Sequence, residues 1–346
     1  MGATEGSPGW IAIADRSRAA VSIAGFDAQG AGFAAQEPLL GCGTLLLETE
    51  AVPEPAPRRI LDLGYEAPFP GALRLDLLPG GVVALTQVQG ENRLTDHLEI
   101  DLPWREACLR VSYRWDAPAR RGELTAEMPD RGMAFTCTVA APFPHPSAEL
   151  AGAFCPARRS LGAQAEFAAL ARGVAAEDAL SLRPRALWSG LPVETPDGPR
   201  LLGQLREGDA VRVPSGKARA VLAVRRVTVP ARGRFAPVRL RAPYFSLVRD
   251  ILVAPDYPVT LSGSEVEYLF GEERVVAAAR HLVDGIAAVA EPGLSTVTYH
   301  ELDVAGAAPI CAAGWIFETA PDVPAHPGHA IGAADALALA TLRRAA

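Results

Sequence analysis

Side chains able to do chemistry are sparse in this chain, and most stand alone. Five cysteines are present: Cys42, Cys108, Cys137, Cys155 and Cys311. No CxxC pair and no Cys/His cluster at metal-ligand spacing accompanies them. An odd number of thiols without a framework reads as buried free cysteines packed as small apolar groups. That leans toward a reducing compartment, with a disulfide between two of them left open. His326 and His329 stand three apart in a Pro/Gly-rich loop and could hold a metal weakly, but no carboxylate or cysteine completes a set. His300 lies in the alternating run Thr296–Leu302, where a structural role is favoured and Tyr299 and Glu301 face away from it. His281 reads as a hydrogen-bonded turn residue or a catalytic remnant. Asp256 and Asp303 read as turn or network carboxylates. GxSxG, GxGxxG and GxxxxGK[ST] are absent, which removes the nucleophile elbow, the dinucleotide fingerprint and the phosphate loop. No cofactor and no metal is expected.

The elements that must position these residues are strands. The chain has 346 residues, 49 % of them hydrophobic, enough for two or three domains with buried cores. Only 21 % are charged and the net charge is −7, with a pI of about 5.5. No basic stripe is available to displace counterions, which argues against a nucleic-acid partner. No run of about 18 apolar residues reads as a transmembrane helix, and the N-terminus lacks the pattern of a signal peptide. The expected location is cytoplasmic by default, or outside by a route without an N-terminal signal.

Gly (32) and Pro (30) punctuate short apolar runs throughout, as in an all-β protein. Ala72–Leu77, Val82–Val88, His97–Leu102, Leu109–Trp115, Glu123–Met128 and Met133–Val139 follow one another at regular spacing. Their period-two alternation predicts half-buried strands of a sandwich or barrel over residues 1–145. Trp10–Ile13 is a further candidate. Residues 146–185 change character: the Ala-rich Leu161–Arg172 predicts a short helix in a linker. Strands return over 186–320, at Val211–Val213, Ala220–Val229, Val238–Arg241, Asp250–Val253 and Thr296–Leu302. Residues 321–346 form a tail with a short helix over Ala333–Arg344.

One stretch is specific. GLPVETPDGPRLLGQLREGD (190–209) reads as strand, Pro-Asp-Gly turn, strand, then a buried Leu205 before a Gly208-Asp209 turn. A weak echo, Ala279-Arg-His-Leu282-Val-Asp-Gly285, recurs about 77 residues later, as pseudo-symmetric β folds leave. With ILVAPDYPVTL, YLFGEERVVAAARHLVDG, TYHELD and GWIFET in the same order, residues 186–320 resemble the bacterial Hint (Hedgehog/intein) domain. The resemblance implies a horseshoe-shaped all-β fold. It also implies self-cleavage, in which a Cys or Ser attacks the preceding carbonyl while a His serves the scissile amide.

The chain departs from that pattern where the chemistry lies. The position of the family nucleophile, four before Gly190, is Ala186. The position of the family His is Tyr257, a poor acid for an amide nitrogen near neutrality. Asp303 leads into Val-Ala-Gly, without the His that often follows. Cys311 does not match a catalytic spacing. Ser189 could act as a displaced nucleophile, and otherwise is a turn residue beside Gly190. The expectation is a Hint domain without self-cleavage, kept as a structural or interaction module. Active processing through Ser189 is the first alternative.

The N-terminal half more loosely resembles laminin-G or concanavalin-like sandwiches, through ALRLDLLPGG, HLEIDLP and LRVSYRWDAPARRGELTAE. This resemblance implies a binding module, in some members for carbohydrate or with Ca²⁺, so a glycan-binding sandwich is the second alternative and a protein or glycan the partner. A sugar platform needs exposed aromatics. Trp104, Tyr113 and Trp115 are the nearby ones, and Tyr113 and Trp115 fall on the core-facing phase. Asp96, Asp101 and Asp116 do not compose a Ca²⁺ loop.

Overall fold

The structure, a computed structural model, describes residues 9–15, 18–22, 38–51, 56–101, 107–155, 160–163, 165–173, 186–291, 293–294, 296–319 and 329–345. The chain divides into two compact units, Met1–Ala179 and Leu180–Ala346.

In the first unit the strands are β1 (Gly9–Asp15), β2 (Arg18–Ser22), β3 (Leu39–Leu40), β4 (Cys42–Glu50), β5 (Arg58–Tyr65), β6 (Gly71–Leu78) and β7 (Val82–Gln89). They continue as β8 (Asn92–Glu99), β9 (Cys108–Asp116), β10 (Arg121–Met128), β11 (Met133–Ala140), β12 (His145–Pro146) and, after helix α1 (Ser147–Gly152), β13 (Ala165–Arg172). One sheet runs β11-β10-β9-β4-β13-β1-β2 and a second runs β5-β6-β7-β8. They share one core: Leu45, Leu47, Leu109, Val111, Tyr113, Trp115 and Leu124 from the first meet Leu63, Leu73, Leu75, Val83 and Leu85 from the second. This is a β-sandwich, and apolar side chains at alternate positions of β6 and β9 build its inner faces.

Residues Leu161–Arg172 correct one expectation. The run expected to be helical is strand β13, laddered between β4 and β1. Phe167, Ala168, Ala169, Leu170 and Ala171 are all buried. A central strand covered on both faces loses its alternation and reads as a continuous apolar run, which a short helix can mimic. Among the described residues between 146 and 185, the helix is α1 instead. Gly162, just before β13, lets the chain press against β5: a Cβ there would lie 2.1 Å from the Arg59 carbonyl oxygen.

The second unit uses shorter pieces: β14 (Leu187–Trp188), β15 (Pro192–Thr195), β16 (Gly198–Leu201), β17 (Ala210–Arg212), β18 (Ala218–Pro230), β19 (Val238–Leu240) and β20 (Ile251–Val253). After β21 (Pro258–Ser262) come α2 (Ser264–Phe270), β22 (Arg274–Ala278), β23 (Ala288–Ala290), β24 (Thr296–Val304), β25 (Ile310–Ala312), β26 (Trp315–Phe317), β27 (His329–Ile331) and α3 (Ala333–Ala345). A seven-stranded sheet runs β17-β18-β24-β14-β20-β19-β23; β16-β15-β25-β26 and β21-β22-β27 flank it. The long pair β18 and β24 is its spine.

The two echoed segments share a local plan. A 3₁₀ turn, Leu202–Gln204 or Ala279–Leu282, delivers a buried leucine, Leu205 or Leu282. A turn follows with Gly208 or Gly285 at positive φ, a conformation only glycine adopts freely. In each turn an aspartate accepts backbone N–H groups: Asp209 that of Arg206, Asp284 those of Ile286, Ala287 and Ala288.

Candidate functional site

Strand β14 puts the first residues of the second unit at the centre of the seven-stranded sheet. Leu187 pairs with His300 of β24 on one side and with Val253 of β20 on the other, and Trp188 pairs with Tyr299. The Ser189 N–H continues the ladder to the Thr298 carbonyl at 3.1 Å. On β18, Arg226 stands opposite His300 and Thr228 opposite Thr298. Pleating places alternate residues on opposite faces, so Ser189, Thr298, His300, Arg226 and Thr228 share one face. Tyr299 and Val227 take the other. Ala186, one step before this ladder, is fully buried.

The shared face is polar. Thr228 and Thr298 are hydroxyl partners at 2.9 Å. The Arg226 guanidinium donates to the Gly203 carbonyl at 3.3 Å. His300 is only 2 % exposed, and neither of its ring nitrogens has a hydrogen-bond partner among the described residues. Burial, seconded by the Arg226 charge, pushes its pKa down to about 4. The ring is therefore neutral near pH 7, with one nitrogen able to accept a proton. Gly203 closes this pocket of space. Its N–H donates to the Ser189 carbonyl at 2.8 Å. A Cβ on Gly203 would stand 3.3 Å from Ser189 Cβ and 3.8 Å from His300 Cε1. The missing side chain leaves Ser189 and His300 facing the same small volume.

Tyr257 belongs to a different arrangement. It is 2 % exposed, and its hydroxyl accepts the Glu318 N–H at 3.0 Å. Its ring packs on Phe317 and Trp315, with centroids at 5.7 Å and 6.5 Å. Its carbonyl takes the Ala279 N–H at 2.9 Å, and Pro255 takes that of Arg280 at 2.8 Å. Asp256 pairs with Arg280, so it acts as the network carboxylate the sequence suggests.

The other candidates are dispersed. His281 lies half-buried in the 3₁₀ turn Ala279–Leu282. Asp303 is exposed on β24, three residues from His300 and so on the opposite face. The Cys311 thiol on β25 is pushed up by burial and by the Glu194 charge, which makes it less nucleophilic. His329 is exposed on β27, while His326 falls outside the described residues. Among the described residues no three His, Cys, Asp or Glu side chains converge on a metal position.

In the sandwich, Tyr113 and Trp115 are both fully buried and stacked at 5.1 Å. The Tyr113 hydroxyl donates to Gln87 and the Trp115 indole N–H to the Leu40 carbonyl. Neither offers a face to a sugar; Trp104 lies outside the described residues. Asp116 accepts the Cys42 thiol and the Ala119 N–H as a turn residue, Asp101 is exposed and Asp96 half-buried. Sequence reasoning did not single out Gly203 and Arg226. Gly203 sits in the motif LLGQL, and the period-two phase of Ala220–Val229 against Thr296–Leu302 was the signal available for Arg226.

Comparison with known proteins places a Hint domain at residues 186–324. No curated protein matches the chain. The Ruminococcus gnavus IT-sialidase CBM40 bound to alpha2,6 sialyllactose is similar at 15 % identity over 50 % of this chain and 96 % of its own, with a TM-score of 0.32. A leech intramolecular trans-sialidase is similar at 12 % identity over 62 % of this chain and 33 % of its own (TM-score 0.31). Domains LG4-5 of the mouse laminin alpha1 chain are similar at 10 % identity over 93 % of this chain and 81 % of their own (TM-score 0.25).

Proposed function

We propose that the Hint domain at residues 186–324 does not cleave its own chain and is kept as a structural or interaction module. The side chains at two positions carry this reading. At the position of the nucleophile stands Ala186, a buried methyl with no atom that could attack a carbonyl. At the position of the histidine stands Tyr257, whose hydroxyl is already engaged with the Glu318 N–H inside an aromatic cluster. A phenol, whose ordinary pKa is about 10, is a poor acid for a leaving amide nitrogen near neutrality. Cleavage before Ser189 is disfavoured as well, because that N–H is a member of the β14–β24 ladder.

An interaction role has a surface to draw on. Tyr244, Phe245, Leu261, Leu282, Ile286 and Leu339 line a groove of about 440 Å³, and Tyr244 and Ile286 are exposed at 45 % and 46 %. Exposed apolar side chains beside a groove are what a partner surface needs.

The test is the intact mass of the purified chain over several hours, with and without dithiothreitol and hydroxylamine. A single species at 36.4 kDa is expected under every condition. Fragments meeting between residues 186 and 190 overturn the reading, and the mass of the C-terminal piece then names the nucleophile.

A further inference from the structure

Ser189 and His300 fall outside the proposed role of the module, yet they share one face of the sheet and border the same small volume at Gly203. We propose that Ser189 is a nucleophile and His300 its general base, together accepting an acyl group from small carboxylic esters supplied from outside the chain. This goes beyond the structural role and does not depend on it.

Three observations carry it. The His300 ring is nine-tenths buried and more, and neither nitrogen is spent on a hydrogen bond among the described residues. Such an imidazole keeps a nitrogen lone pair available to a neighbouring hydroxyl. Second, Ser189 shares its face of the sheet, and the backbone at 189 is pinned on both sides, by its N–H to Thr298 and its carbonyl to Gly203. The backbone of Ser189 is thereby held in register, and its side chain keeps the staggered χ1 rotamers open to it. Third, the Ser189 Cβ and the His300 Cε1 both lie within 4 Å of the point where Gly203 lacks a side chain. Rotation about the Ser189 Cα–Cβ bond sweeps the hydroxyl through that volume toward the ring. Nucleophile–base contacts of this kind often tighten only when a substrate is bound.

The step balances without any cofactor. Ser189 Oγ attacks the acyl carbon while its proton passes to the free imidazole nitrogen. The ester C–O bond then breaks, and the leaving alkoxide takes that proton, so the products are an acylated serine and an alcohol. Arg226, which holds the Gly203 carbonyl, supplies positive charge on the same face, favourable to the oxyanion that develops. The ester must be small, because Ser189 is only half-exposed.

The experiment treats the full chain with an alkyl fluorophosphonate, which reacts by the same attack with fluoride as leaving group, and reads intact mass and the labelled peptide. One adduct per chain on Ser189 is expected. It is absent from Ser189→Ala, slowed roughly 100-fold in His300→Gln, as loss of a general base implies, and unchanged in Ser215→Ala, a substitution on an exposed turn. Should His300→Gln fail to fold, Gly203→Ala serves instead. Its methyl occupies the shared volume and must slow labelling while the far-UV circular dichroism stays native. No adduct, an adduct on other serines, or equal rates in all variants overturns the proposal. Self-cleavage appears in the same spectra as fragments and labelling as added mass, so the two readings fail separately.

Discussion

Among the described residues each unit buries one histidine, and the two surroundings differ in kind. In the sandwich, His145 is wholly buried, its ring edge-on to Trp115 at 5.2 Å and to Tyr113 at 6.2 Å. Neither ring nitrogen has a partner among the described residues, and burial alone pushes its pKa to about 3. In the Hint domain, His300 is nearly as buried but faces Ser189, Thr298 and the Arg226 charge. Burial is thus common to both and decides nothing about function. What separates a ring used as packing from one poised for chemistry is the company on its open side.

The comparison breaks first at its aromatic box. Trp115→Ala removes the wall that His145, Tyr113 and the core all touch, and should cost about 3–5 kcal/mol in urea denaturation. Next comes acid. A histidine whose folded pKa lies below its unfolded value of 6.5 opposes protonation, so its contribution is complete above pH 6.5 and is lost as the pH falls toward 3. Between pH 7 and pH 4 this should cost the native state about 3 kcal/mol. His145→Phe should abolish that part of the acid lability while leaving stability at pH 7 near wild type; a pH series of thermal melts decides it. An unchanged acid profile would show that His145 finds a partner in solution. In the Hint domain, Tyr257→Phe strips the acceptor from the Glu318 N–H and should cost about 1–2 kcal/mol by the same urea measurement. At the small end, Arg225→Ala removes a partly exposed pair with Glu301 at 2.6 Å and should cost about 1 kcal/mol or less, weakening further in salt.

Legibility in the sequence followed periodicity. Leu109, Val111, Tyr113 and Trp115 alternate because only one face of β9 meets the core formed with the second sheet, and that face was readable. Strand β13 was not, because both of its faces are covered and the alternation vanishes. In the Hint domain most strands are too short for periodicity to speak, and motif order spoke instead: the Pro-Asp-Gly turn, the buried Leu205 and its echo at Leu282 all stand where the spacing put them. The Ser189–His300 face was only half legible. Both residues were visible as candidates, but their meeting depends on the register of β14 against β24 and on a missing side chain at Gly203. No local pattern encodes either. The same holds for Glu48 and Arg110, a buried pair at 2.8 Å whose partners are 62 residues apart.

The place of β13 has a consequence for the order in which the chain is made. Among the described residues, strand β1 joins the large sheet only through β13, since its other neighbour is β2. Strand β1 must therefore wait for one that emerges about 150 residues later, while β4 presents an unfinished edge in the interval. Contacts so distant in sequence are slow to close, and an open edge is an invitation to strangers. A chain stopped short of residue 165 would hold most of the sandwich and still lack the strand that joins its beginning to the rest. The first unit is in this sense completed by β13, and translation past that point is what closes it.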